Sequence, residues 1–287
     1  MSHFAVAGLQ LEISGKDNRY LIQKEIESTL RLFPWVQMVV VGELASFGTE
    51  KSFAQALPGE IEQFYCRIAR DLGIWLVPGS VYEKDGDKVY NTALVIEPQG
   101  TVVGRYRKMF PFCPYEEGVR PGTEFLVFDV PDVGRFGLNI CYDQWFPETV
   151  RQMAWMGAEV ILCPTMTNTT DRDLELCLAR ANAVSNQCYV FNVNVAGALG
   201  NGKSIVVAPD GNIVHQASEL AETFPLELDL GLVRRVRERG VNGLGQPLKS
   251  FRDASIDFPV YSGALPEGAM AELGPLVKPS AKGAKLD

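Results

Sequence analysis

Residues 135–148 read RFGLNICYDQWFPE, and the fold follows from how this stretch changes character. An apolar run ends at Cys141, and Pro147 with Glu148 opens a helix a few residues later. A strand, a sharp turn and a helix in that order expose one side chain at the strand's carboxyl end, where α/β sheets build their sites. The backbone N–H groups just after Cys141 are then free to face a developing oxyanion. The plainer alternative is that Cys141 is a small buried hydrophobe, the usual state of a free cysteine. Asp143, Gln144 and Glu148 separate it from the chain's other cysteines, because polar residues rarely crowd the exit of a buried strand.

Working outward, strand-like and helix-like periods alternate. Phe4–Ile13 and Met38–Val41 read as buried strands, and Tyr20–Phe33 carries a helical stripe at Leu21, Ile22, Ile26, Leu30 and Phe33. A second helix starts at Pro58 with Glu60 and Glu62, buries Ile61, Phe64, Tyr65 and Ile68, and stops at Gly73. Trp75–Tyr82, Val89–Ile96 and Thr101–Arg107 read as three strands joined by the turns KDGDK and PQG. After a proline-rich loop the plan recurs. Strands are expected at Phe125–Val130, Arg135–Cys141, Val160–Cys163, Tyr189–Ala196, Ser204–Ala208, Ile213–Gln216 and Pro225–Leu230. Helices are expected at Glu148–Met156, at Asp171–Asn186 with Asp171 as cap and Leu174, Leu178 and Ala181 facing inward, and at Leu232–Arg239. This alternation implies an α/β fold with helices on the outer faces of the sheet. No linker divides residues 1–261, which are expected to form one domain. Residues 262–287, rich in Ala, Gly and Pro, are expected to be a disordered tail or to wrap a partner subunit.

Composition narrows the partners. The 287 residues carry a net charge of −8 with no Lys/Arg cluster, which argues against nucleic acid and anionic membrane surfaces. The apolar start is broken by Gln10 and Glu12, so it reads as a strand and not a secretory signal, and no apolar run is long enough to span a membrane. Six cysteines without a CxxC pair point to a reduced, cytoplasmic protein. With two histidines, His3 and His215, at unrelated positions, no metal site and no cofactor are expected.

Neither histidine is well placed to activate the thiol, so a carboxylate base is the better expectation. Glu43 ends the run MVVVGE. Burial there would raise its pKa toward useful values, while a solvated strand-end glutamate fits the segment equally well. Lys108 closes TVVGRYRK, where an ammonium could hold a carbonyl oxygen; with Arg105 and Arg107 it also reads as a solvated basic strand end. Glu116 in CPYEEG offers a second carboxylate, with Glu117 as its rival.

Taken together, VVVGELASFG, RYRKMFPFCPYEEG and GLNICYDQWFPE resemble, in order and spacing, the nitrilase superfamily of carbon–nitrogen hydrolases. The likeness continues through MGAEVILCPT, DLELCLARANAVSNQCYVFNVN and SIVVAPDGNIV, over residues 4–230. It implies a four-layer α-β-β-α sandwich and a triad of Glu43 as general base, Lys108 as oxyanion stabiliser and Cys141 as nucleophile, with Glu116 as a second glutamate. The lysine segment is most similar to the aliphatic amidase and formamidase branch, and CYDQWFPE looks like N-carbamoylputrescine amidases. Tyr142-Asp143 replaces the Trp-Glu typical of nitrile-hydrolysing members. The reaction so implied is cleavage of a small carboxamide through a cysteine thioester, with an N-carbamoyl amidohydrolase as one alternative and a catalytically silent assembly protein as another. Phe112, Tyr142, Trp145, Thr165 and Met166 are the expected walls of a mostly apolar acyl pocket, as against ordinary core packing. The family likeness further implies a homodimer or larger homo-oligomer.

Overall fold

In a computed structural model that describes residues 3–276 apart from residues 114, 264 and 275, the strands form two mixed sheets. The strands are β1 (His3–Gln10), β2 (Met38–Val41), β3 (Trp75–Val77), β4 (Ser80–Asp85), β5 (Lys88–Ile96), β6 (Val102–Arg107), β7 (Leu126–Val130), β8 (Gly134–Leu138), β9 (Val160–Thr165), β10 (Tyr189–Asn194), β11 (Ile205–Val207), β12 (Ile213–Gln216) and β13 (Glu222–Asp229). The first sheet runs β13-β1-β2-β3-β5-β4, with β6 also paired to β5; the second runs β12-β11-β10-β9-β8-β7. The centre of each is parallel, β1-β2-β3 and β8-β9-β10, and antiparallel hairpins extend both outward.

Burial on both faces explains why the central strands are apolar throughout rather than alternating. Successive residues of β2 serve different cores: Met38 and Val40 face the other sheet, and Val39 and Val41 face the helices. In the same way β5 sends Ala93 and Val95 inward, and Leu94 and Ile96 outward. Between the sheets an aromatic seam joins Phe4 to Phe136 (ring centroids 5.6 Å) and Trp75 to Phe128 (5.8 Å). Helices α1 (Arg19–Leu32) and α2 (Glu60–Leu72) cover the outer face of the first sheet through Ile22, Ile26, Ile61 and Ile68. On the second sheet, α3 (Pro147–Trp155) packs Val150 and Met153 on Ile161, and α4 (Arg172–Asn186) packs Ala179 and Ala183 on Val190 and Val207. This is the four-layer α-β-β-α sandwich. The chain then adds α5 (Leu230–Arg239) and α6 (Pro247–Asp253), the second of which the sequence pattern did not reveal.

Three local expectations need correction. Trp75–Tyr82 is two strands, because Gly79 adopts φ +81° and turns the chain between β3 and β4. Cys141 does not end a strand. β8 stops at Leu138, and Cys141 itself, at φ +46°, starts a tight 3-10 turn through Trp145. Helix α4 turns Arg172, Glu175, Asn182 and Asn186 inward beside its alanines, leaves Leu174 and Ala181 exposed, and takes no side-chain cap from Asp171. Of the expected tail, residues 277–287 lie outside the described residues; Ser262–Leu276 is exposed where described and holds one 3-10 turn at Gly268–Met270.

Gly79 is where the backbone leaves no room. A Cβ there would lie 1.9 Å from the Gly42 carbonyl oxygen, directly before Glu43, at a φ that L side chains rarely adopt. Gly79→Ala is expected to cost about 3 kcal/mol or more and to shift the end of β2. Urea denaturation would measure the loss, and an unchanged midpoint would refute the steric account.

Candidate active site

Three chain segments reach one end of the sandwich. Glu43 follows β2 and Cys141 follows β8, both at carboxyl ends of parallel strands, and Lys108 follows β6. They line a cavity of about 360 Å³ together with Glu116. All four are buried, Lys108 to within 1% of its surface.

The Lys108 ammonium donates to Glu43 Oε1 at 2.8 Å and to Glu116 Oε2 at 2.6 Å. Asn91, fully buried on β5, donates its side-chain amide to both carboxylates, at 2.8 Å to Glu43 and 3.0 Å to Glu116. Met166 N–H donates to Glu43 Oε2 (3.0 Å), and Phe112 N–H donates to Glu116 Oε2 (2.6 Å). Charges this far from water need such saturation, since an unpaired buried ion costs several kcal/mol. The rival Glu117 is exposed, and its carbonyl oxygen only accepts a bond from Lys51.

The environments of the two carboxyls differ. Burial raises the Glu43 pKa, and the Glu116 charge adds to this against the opposing pull of Lys108 and of a hydrogen bond from the Cys141 thiol. At Glu116 burial is outweighed by Lys108, its hydrogen bond and the donors of Phe112 and Asn91, and the pKa falls. Burial would lower Lys108, but its two carboxylate partners hold it well above the ordinary lysine value. Burial, then the Glu43 charge, lifts the Cys141 thiol well above its ordinary pKa, against Lys108. The site therefore holds a protonated thiol, a carboxyl of raised pKa, an ammonium that stays charged, and a second carboxylate paired with that ammonium.

Asp143 joins two of the contributing segments. Its Oδ1 accepts from Phe110 N–H (2.8 Å), two residues past Lys108, while Oδ2 accepts from Ile140 N–H (3.0 Å) and from the Tyr106 hydroxyl (2.7 Å). Burial pushes its carboxyl up to about 6 despite the Lys108 charge and these donors. Gln144 is buried as well, whereas Glu148 is exposed.

Residues 5–238 match the family model described as carbon-nitrogen hydrolase. The chain is a carbon–nitrogen hydrolase. An omega-amidase of Xenopus laevis is 32% identical over 202 residues, 65% of this chain and 73% of that protein. A nitrilase of Pyrococcus abyssi is 35% identical over 225 residues, 72% of this chain and 82% of that one. Among solved structures, Saccharomyces cerevisiae Nit3, a member of branch 10 of the nitrilase superfamily, is similar with TM-score 0.77 and 31% identity, covering 83% of this chain and 94% of Nit3. This carbon–nitrogen hydrolase is thus a cysteine hydrolase of the amidase branch.

Of its expected acyl-pocket residues, Phe112, Tyr142, Trp145 and Met166 line the cavity. Thr165 does not. It is fully buried in β9, accepts from Asn192 at 2.9 Å and gives its carbonyl oxygen to Glu43 N–H at 3.1 Å. The lining is also more polar than expected, with Lys51, Thr167, Asn168, Asp171 and Glu175 among its residues. Sequence reasoning missed Asn91, Thr167 and Glu175, for which no local pattern gave a signal. Among the described residues no cluster of His, Cys, Asp and Glu could hold a metal, and no helix is long and apolar enough to cross a membrane.

Removing the shared ammonium gives a prediction with a sign. In Lys108→Met both glutamates keep their burial and lose their counter-charge, so the Glu43 pKa, already raised, climbs further and the Glu116 pKa rises from its lowered position. Such carboxyls bind more protons folded than unfolded, so stability falls as pH rises above about 4, the unfolded carboxyl range. Urea midpoints measured above that range should decline more steeply than in the parent enzyme; parallel profiles would contradict the assignment.

Proposed function

We propose that this enzyme hydrolyses the C–N bond of a small neutral carboxamide, giving a carboxylic acid and ammonia through a thioester on Cys141. The observation that carries the reading is the convergence of the Cys141 thiol, the Glu43 carboxylate and the Lys108 ammonium on one cavity. Glu43 takes the thiol proton as sulfur attacks the carbonyl carbon. The carbonyl π pair moves to oxygen, where Lys108 and the Tyr142 backbone N–H stabilise the charge. Glu43 then protonates the departing nitrogen. Water, deprotonated by the same carboxylate, attacks the thioester and releases the acid and the free thiol.

Glu116 is a positioning residue here, holding Lys108 through the 2.6 Å ion pair. The aromatic side of the cavity, Phe112, Tyr142 and Trp145, suits the apolar part of a short acyl group, and its volume of about 360 Å³ suits a molecule of few heavy atoms. We extend the proposal to a homo-oligomer. Trp155 on α3 and Leu174 and Val184 on α4 leave apolar surface exposed on the outer helix layer, and sedimentation at monomer mass would exclude it.

Ammonia release across aliphatic, aromatic, N-carbamoyl and nitrile panels, with Cys141→Ala as blank, tests the reading. Simple amides should turn over, with little turnover of nitriles. Carbon dioxide accompanying ammonia from the carbamoyl panel would replace the carboxamide reading with an N-carbamoyl one. Glu43→Gln and Lys108→Ala should each lower kcat by about a hundredfold or more. Retention of more than a tenth of the parent rate by either variant would remove that residue from the mechanism.

A further inference from the structure

Glu43 and Lys108 do not exhaust the polar contacts of the thiol. Thr167 Oγ1 lies 3.7 Å from Cys141 Sγ and 3.0 Å from Glu175 Oε1. A threonine hydroxyl has one proton, so these two neighbours compete for it. While the sulfur is protonated the carboxylate is the stronger acceptor, and the proton points to Glu175. Once the sulfur becomes an anion the order can reverse, and only the hydroxyl must turn.

The surroundings suit such a turn. Glu175 is 3% exposed and keeps Arg172 as a partner, Nη1 to Oε2 at 2.8 Å, whichever way Thr167 points. Arg172 is itself 1% exposed and held by Asn192 Oδ1 (2.8 Å) and the Lys203 carbonyl (2.7 Å). The Thr167 backbone is fastened on both sides by Asn194, N–H to Oδ1 at 2.9 Å and Nδ2 to the carbonyl at 3.0 Å. Neither bond involves the hydroxyl.

We propose that Thr167 is a further catalytic residue, whose hydroxyl turns from Glu175 to the Cys141 sulfur as the thiol proton passes to Glu43, and that Glu175 is a positioning residue holding the donor off the sulfur until then. The Thr167 O–H bond stays intact throughout. The only proton transferred goes from sulfur to the Glu43 carboxylate as the S–C bond forms and the carbonyl π pair moves to oxygen. The charged groups around the thiol are Glu43 after β2, Lys108 after β6 with Glu116 behind it, Glu175 and Arg172 on α4, and Asp143 in its own turn. The Glu175 charge adds to the rise of the thiol pKa caused first by burial and Glu43. This inference rests on Cys141 being the nucleophile, but its test reads the thiol directly and does not need turnover.

The experiment is the rate of Cys141 alkylation by iodoacetamide against pH, with peptide mapping to separate Cys141 from the exposed Cys177. Thr167→Val keeps the shape and removes the donor. It should slow alkylation about tenfold at fixed pH, one hydrogen bond's effect, and move the profile to higher pH. Thr167→Ser should restore the parent profile. Glu175→Gln should act in the opposite sense, with faster alkylation and a profile at lower pH, because the amide removes the charge and frees the Thr167 proton. A role confined to packing would move both sites in one direction. Shifts of the same sign in Thr167→Val and Glu175→Gln, a parent-like Thr167→Val, or failure of Thr167→Ser to restore the profile would each overturn the proposal. Absence of ammonia from every amide, with these opposed shifts intact, would sink the amidase reading and leave this one standing.

Discussion

The buried ammonium of Lys108, shared between Glu43 and Glu116, is the constraint on which the rest of the site depends. With both carboxylates ionised the cluster carries one excess negative charge on side chains that are all buried. A thiolate added to that cluster would bring a second, which burial makes costly. The thiol can therefore lose its proton only if the proton remains inside, on the carboxyl whose pKa burial has raised. In the proposed reaction that carboxyl is Glu43 and not Glu116: both receive Lys108, Asn91 and one backbone N–H, but the Lys108 and backbone bonds to Glu116 are the shorter, 2.6 Å each against 2.8 and 3.0 Å. The same saturation that makes burial tolerable thus separates the two carboxyls, one with a raised pKa and one with a lowered one, and the proposed reaction uses the first as proton acceptor and the second as counter-ion.

Holding these groups together is the work of the scaffold. Glu43 is set by a strand buried on both faces, and its backbone N–H bonds to Thr165, which carries the position across to the second sheet. Asp143 performs the matching task between the lysine segment and the cysteine turn by accepting from both. Cys141 at φ +46° stands in a conformation that L residues avoid, which lifts its side chain away from the strand direction and into the cavity. Such strain persists only where the neighbourhood over-determines it, and the buried Asp143 carboxylate is the over-determining contact.

Much of this was legible in the chain because burial leaves a pattern. Apolar runs at Met38–Val41 and Val160–Cys163, the stop at Gly73 and Pro147 at a helix start each report a local preference. The motif segments nominated Glu43, Lys108, Cys141 and Glu116 by likeness, and the geometry brings all four to one place. What stayed hidden depends on neighbours distant in sequence. Helix α4 was expected to bury its leucines, yet the first half meets polar partners, Thr167 and Asn192, so Arg172 and Glu175 turn inward instead. Asn91 reads as a polar interruption of a strand until Glu43 and Glu116, 48 and 25 residues away, arrive on either side of its amide. Thr165 seemed a wall because it ends a strand beside the site, but strand alternation sends its side chain to Asn192 and leaves the wall to Met166 and Thr167.

The charge balance also gives the proposed reaction a direction. A neutral amide enters the cluster without changing its charge, and its carbonyl oxygen gains negative charge only while Lys108 and the Tyr142 N–H face it. The acid product is an anion formed beside two carboxylates that already exceed their single ammonium. Coulomb repulsion at such distances, weakly screened by a buried site, favours its departure. A substrate carrying its own carboxylate near the scissile bond would meet the same repulsion on entry. In the proposed reaction the excess charge thus acts at binding and at release as well as in the chemical step.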